Sequence, residues 1–153
     1  MRARLLVLAC CGALPVALGA CGQSEKDKYI DAFSPLNTRL IKVNDDLART
    51  INASQNKSNA KLAGEFAPLG VRLGTLSRQI RALDTPTDLE QESKALTETL
   101  DTARVHVDGV ATAARRRDAR ALATASVRLS DEANKISTEA NRLARATGAQ
   151  VGR

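Results

Sequence analysis

Apolar residues recur three and four positions apart along nearly all of the chain beyond residue 28, and this rhythm limits the fold more than any other feature. It is clearest at Leu62, Phe66, Leu69, Leu73, Leu76, Ile80 and Leu83, which step alternately by 4 and 3. Such spacing lines one face of an α-helix. The same rhythm runs earlier through Phe33, Leu36, Leu40, Val43 and Leu47. It returns through Leu89, Ser93, Leu96, Leu100, Ala103, Val107, Val110 and Ala114, and again through Leu122, Ser126, Leu129, Ala133, Ile136, Ala140 and Leu143. The period-2 alternation of a half-buried strand is absent.

The interruptions are also readable. Asn52, Ser54, Asn56, Ser58 and Asn59 form a polar cluster between the first two segments. The stretch 84–90 separates the second from the third, and Thr87 and Glu90 there have the spacing of a capping box. Arg117-Asp118 marks a tight turn with Asp118 as helix N-cap. Gly148 follows the last periodic residues, where glycine readily supplies a left-handed cap. Four helices with one apolar stripe each, joined by short connections, bury those stripes most economically as an all-α, antiparallel up-down-up-down four-helix bundle. The expected organisation is a leader over 1–20, a tether over 21–28, the bundle over 29–148 and a tail over 149–153.

Two prolines interrupt the pattern. Either the first helix starts at Ser34 with Pro35 in its first turn, or it runs from Ser24 and kinks. Pro68 lies inside the second periodic run and removes a hydrogen bond to Gly64. With Gly70 and Gly74 it marks either a softened stretch that opens a pocket or a bend tolerated on the solvent side.

The first twenty residues have a different composition. Arg2 and Arg4 precede an uncharged run over 5–18, a positive head followed by an apolar segment as in a secretory leader. The run falls short of the roughly 20 residues of a spanning helix and contains Gly12 and Pro15, which argues against a retained transmembrane anchor. It ends in Leu18-Gly19-Ala20-Cys21, which resembles the lipobox of bacterial lipoproteins: an aliphatic residue, two small residues and a cysteine. The resemblance covers the leader alone. It implies cleavage before Cys21, a diacylglyceryl group on its thiol, and a chain held by lipid on the extracytoplasmic face of the membrane. Cys10 and Cys11 would leave with the leader, so Cys21 would have no disulfide partner. An ordinary secretory signal that happens to contain Cys21 is the alternative. In composition and leader the chain is similar to the small, all-helical, Ala/Arg-rich lipoproteins of actinobacterial type, a similarity that implies no activity.

Composition excludes several chemistries. Tyr29, Phe33 and Phe66 are the only aromatic residues, so base stacking on aromatic platforms is ruled out and no nucleic-acid partner is expected. The single histidine, His106, has Ala103 three positions before it, not the glutamate of a carboxylate-bridged iron site. No Cys-x-x-Cys-His motif exists for covalent haem, and Met1 is the only methionine. Neither a nucleophile with a defensible base nor a cleft-forming carboxylate pair is evident. The expectation is therefore a protein with no catalytic residues, no cofactor and no metal.

Residues 1–20 hold two arginines and no acid, so 21 basic and 17 acidic side chains remain after them. The conspicuous cluster is Arg115, Arg116 and Arg117, with Arg120 one turn on. Four guanidinium groups suit an anionic envelope polymer or an acidic protein surface. The competing reading is a solvated helix end whose cations complement the helix dipole. Arg142, Arg145 and Arg153 are placed to meet anionic head groups if the C-terminus lies near the lipid. Two functions follow as expectations: a non-catalytic module binding a protein or envelope component, or a carrier or sensor accessory holding a small apolar ligand between its helices.

Overall fold

The computed structural model describes residues 24–54 and 57–148. They form four helices, α1 Glu25–Asn52, α2 Asn59–Arg81, α3 Glu90–Arg116 and α4 Ala119–Ala146, with a 3-10 turn Thr87–Leu89 leading into α3. No strand occurs among the described residues. The leader, Cys21 and the tail 149–153 lie outside them.

The helices pack in ring order, α2 against α1 and α3, and α4 against α3 and α1. Cross-helix partners run in opposite directions. Gly70 meets Val107, Gly74 meets Arg104 and Ser77 donates to the Thr97 carbonyl, so α2 and α3 are antiparallel. Asn44 of α1 donates to Ser137 of α4 at 2.9 Å and closes the ring. The described residues form an all-α four-helix bundle.

The periodic residues are the ones that fill the core. Phe33, Leu36, Leu40, Val43 and Leu47 are buried, with Tyr29 added one turn earlier. Leu62 through Ile80 are buried at the predicted steps, as is every named position from Leu89 to Ala114. On α4, Leu129, Ala133, Ile136, Ala140 and Leu143 are buried, whereas Leu122 and Ser126, nearer the α3–α4 connection, are half-buried.

The local signals fared unevenly. Helix α1 takes the longer of the two proposed starts. Ser24 Oγ accepts from the Asp27 amide while Asp27 Oδ2 accepts from the Ser24 amide, at 3.1 and 3.2 Å, a reciprocal cap that recruits residues 25–28 from the expected tether. Pro35 therefore lies inside α1, on its exposed side. Pro68 is likewise exposed within an unbroken α2, and Gly64, whose carbonyl loses its helical amide partner, is exposed to water. Of the two readings of Pro68, the structure agrees with the second in placing the residue on the solvent side of the helix.

The Thr87–Glu90 capping box does not form. The N-cap of α3 is Leu89, which has no side-chain hydrogen bond to the helix. Leu89 is drawn fully into the core, its amide bonded to the Pro86 carbonyl at 2.9 Å, and this tight turn displaces Thr87 from the helix terminus. Gly70 and Gly74 are also explained otherwise than by softening, since both are buried against α3. Asp118 and Gly148 take their expected roles: Asp118 Oδ1 accepts from the Ala121 amide at 2.9 Å, and Gly148 has φ +76°.

Candidate functional site: the arginine-rich tip

The α3–α4 connection is as short as a helical hairpin allows. Arg117 adopts the left-handed conformation, φ 57° and ψ 30°. Its amide bonds to the Ala114 carbonyl at 3.1 Å and the Asp118 amide to the Ala113 carbonyl at 3.0 Å, the pair of bonds of a Schellman C-cap. Asp118 then caps α4 at once. One left-handed residue thus reverses the chain, and it is an arginine where glycine would be cheaper by about 1 kcal/mol.

This hairpin gathers the predicted cluster. Arg115, Arg116, Arg117 and Arg120 are all exposed, and none forms an ion pair among the described residues. Elsewhere on the bundle several arginines are paired: Arg49 and Arg72 both with Asp46, Arg81 with Asp101, Arg104 with Asp108 and Arg142 with Glu139. Asp101 shows the effect. Burial pushes its carboxyl up, but the hydrogen bond from Arg81, the nearby Ser77 hydroxyl and the Arg81 and Arg104 charges outweigh this and hold it below the usual carboxylate range. The tip arginines lack such partners, because the only acid in the turn, Asp118, has an oxygen committed to the helix cap.

Two residues missed in the sequence join the tip. Arg128 stands two turns after Arg120 on the same side of α4, and His106 approaches from α3. Both line a surface groove of about 570 Å³ between the two helices, together with Val105, Gly109, Arg120 and Ala125. A contiguous depression of about 320 Å³ carries it to Arg116. The Arg120–Arg128 spacing was visible in the sequence as helical periodicity. The contribution of His106 required the register of the hairpin.

At the opposite end, a groove of about 830 Å³ separates the start of α1 from the α2–α3 connection and is walled by Glu25, Lys28, Asp84 and Glu90. Tyr29, on its lining, stacks on Phe33 at 5.8 Å between ring centroids. The Tyr29 hydroxyl is sealed from solvent. The Ser93 and Thr85 hydroxyls ease its ionisation without reaching hydrogen-bond geometry, so burial prevails and its pKa is raised. A smaller groove of about 210 Å³ lies between α1 and α2 over Val43, Val71 and Leu76.

Leu18, Gly19, Ala20, Cys21 and Arg153 lie outside the described residues. Arg142 and Arg145 are exposed near the end of α4. Among the described residues no group of three or more His, Cys, Asp or Glu is placed to hold a metal ion, and no helix is long and apolar enough to cross a membrane. No protein-family model, curated protein or solved structure matches the chain.

Proposed function

We propose that the chain is a lipid-anchored, extracytoplasmic, non-catalytic binding module that presents its arginine tip to an anionic partner. The lipobox-like Leu18-Gly19-Ala20-Cys21 supports the anchor. The observation that carries the binding reading is the arrangement of charge along the bundle. Lys26 pairs with Asp88 at 3.5 Å, which puts the start of α1 and the α2–α3 connection at one end. The tip at the other end gathers four exposed arginines, Arg115, Arg116, Arg117 and Arg120, none of them in an ion pair among the described residues. A helix of 28 residues, the length of α1 and of α4, spans about 42 Å. Only two residues, Gly22 and Gln23, separate Cys21 from the Ser24 cap, a reach of at most about 10 Å. A short tether and a stiff bundle hold the arginines far from the bilayer that bears the anchor, where they meet other envelope components.

Two measurements test this reading. Intact mass analysis of the protein from its native membrane is expected to show acylated Cys21, and Cys21→Ser to abolish incorporation of a fatty-acid label; an unmodified Cys21 overturns the anchor. For the tip, the full chain is expected to leave a polyanionic resin at clearly higher salt than the variant with Arg115, Arg116, Arg117 and Arg120 all changed to glutamine. Equal elution overturns the role of the arginines.

The carrier reading draws on the groove over Val43, Val71 and Leu76. At about 210 Å³ it is smaller than the roughly 300 Å³ of ordinary small-molecule pockets. Gly70 and Gly74 of α2, part of its other support, are accounted for by packing against α3.

A further inference from the structure

We infer that the outer α3–α4 groove at the tip is a docking site for an acidic amphipathic helix of a partner protein; this rests on the reading of the tip as an anion-binding surface and names its partner. Charge sets the first requirement. Arg116, Arg120 and Arg128 stand along the groove without carboxylate partners. Asp108 at its edge is engaged by Arg104 at 3.6 Å, and Asp118 caps α4. The occupant must therefore bring carboxylates or phosphates, for which guanidinium groups are the matching fork.

The second requirement separates a protein from a hydrophilic polymer. Four large hydrophobic side chains are exposed among the described residues, and one of them, Val105 on α3, is 58% exposed at this groove. Val105 lines the groove directly, and its floor is apolar where Gly109 faces Ala125, with a Cβ at Gly109 still 4.0 Å from the Ala125 Cβ. A polyphosphate or other fully charged chain gains nothing from aliphatic surface. A helix with an apolar stripe flanked by glutamates covers Val105 and the Gly109–Ala125 floor and reaches Arg116, Arg120 and Arg128, the usual geometry of helix-in-groove recognition.

Three fluorescent 20-residue peptides decide the matter, measured by anisotropy against the lipid-anchored full chain in phosphatidylcholine nanodiscs, with empty nanodiscs as blank. One carries a leucine/alanine stripe flanked by glutamates, the second has the same composition scrambled, and the third has lysine in place of glutamate. Polyglutamate and polyphosphate serve as competitors. The first peptide is expected to bind about tenfold more tightly than the second, to exceed the third, and to resist displacement by either polymer at equal charge. Arg120→Glu with Arg128→Glu is expected to weaken it about tenfold. Gly109→Leu, which fills the floor without changing charge and favours the helix, is expected to weaken the first peptide and leave polyphosphate unaffected, with circular dichroism confirming the unchanged fold. Equal binding of the first two peptides, lost on arginine reversal, overturns the helix-docking inference and leaves the anionic-partner reading standing. No anionic probe binding above the blank overturns both. A shift to dimers that excludes the peptide identifies a second copy of the chain as occupant and also overturns the inference.

Discussion

Gly70 of α2 faces Val107 of α3 so closely that a Cβ at Gly70 would stand 3.3 Å from Val107 Cγ1 and 2.9 Å from Asp108 Oδ1. Val107 is fully buried and β-branched, with one strongly preferred helical rotamer, so it gives way poorly. One turn on, Gly74 stands in a different relation. A Cβ there would meet Arg104 Cδ at 2.8 Å, part of a flexible side chain 46% exposed to solvent.

The two glycines are therefore expected to respond differently to alanine. Gly74→Ala moves Arg104 outward and keeps most of the helix-propensity gain, about 0.5–1 kcal/mol of added stability. Gly70→Ala spends that gain against Val107 and comes out near zero or negative, and Gly70→Leu loses about 1–3 kcal/mol by overpacking. Urea unfolding measures all three. Equal stabilisation by both alanines would mean that α2 and α3 are not in the close contact described.

Leu76 lies in the core at 3% exposure, on the seam that the periodicity identified. Leu76→Ala is expected to cost about 2–5 kcal/mol, the range for truncating a buried leucine. A change near zero in the same unfolding assay would place Leu76 outside the core.

Arg117 offers a way to separate fold from function. Arg117→Gly is expected to raise stability by up to about 1 kcal/mol by removing the cost of a left-handed non-glycine residue, whereas Arg117→Ala keeps the strain and gains nothing. Both remove one tip charge and are expected to elute from a polyanion at lower salt. Thermal unfolding with the two variants side by side checks the first point, and elution the second. Equal melting temperatures would deny the strain.

Asp46 ties α1 to α2. It accepts from Arg72 across the interface at 2.7 Å and from Arg49 on its own helix, and these hydrogen bonds hold its carboxyl below the usual range. A folded-state pKa below the unfolded value of about 3.9 adds stability that is complete above that value and is lost as pH falls through the folded one. Asp46→Asn is expected to be modestly less stable than the parent at pH 7, since the side chain is partly solvated. The gap should narrow below about pH 4 and close once the parent carboxyl is protonated. Urea titrations across that range check it; a gap unchanged with pH would assign the loss to packing instead of charge.

The amino-acid sequence by itself determined four helices and their apolar stripes, together with the Asp118 and Gly148 caps. These depend on relations three to five residues apart, and a helix imposes such relations whatever it packs against. Thr87 had equally good local spacing and lost its cap, because burying Leu89 in the core outweighs one side-chain hydrogen bond at a helix end. The tertiary structure alone decided that Gly70 and Gly74 serve close approach to α3, and that His106 and Arg128 share a groove with the arginines of the turn. Those relations join residues on different helices. They depend on the register set by interlocking side chains along the whole seam, which no local spacing carries.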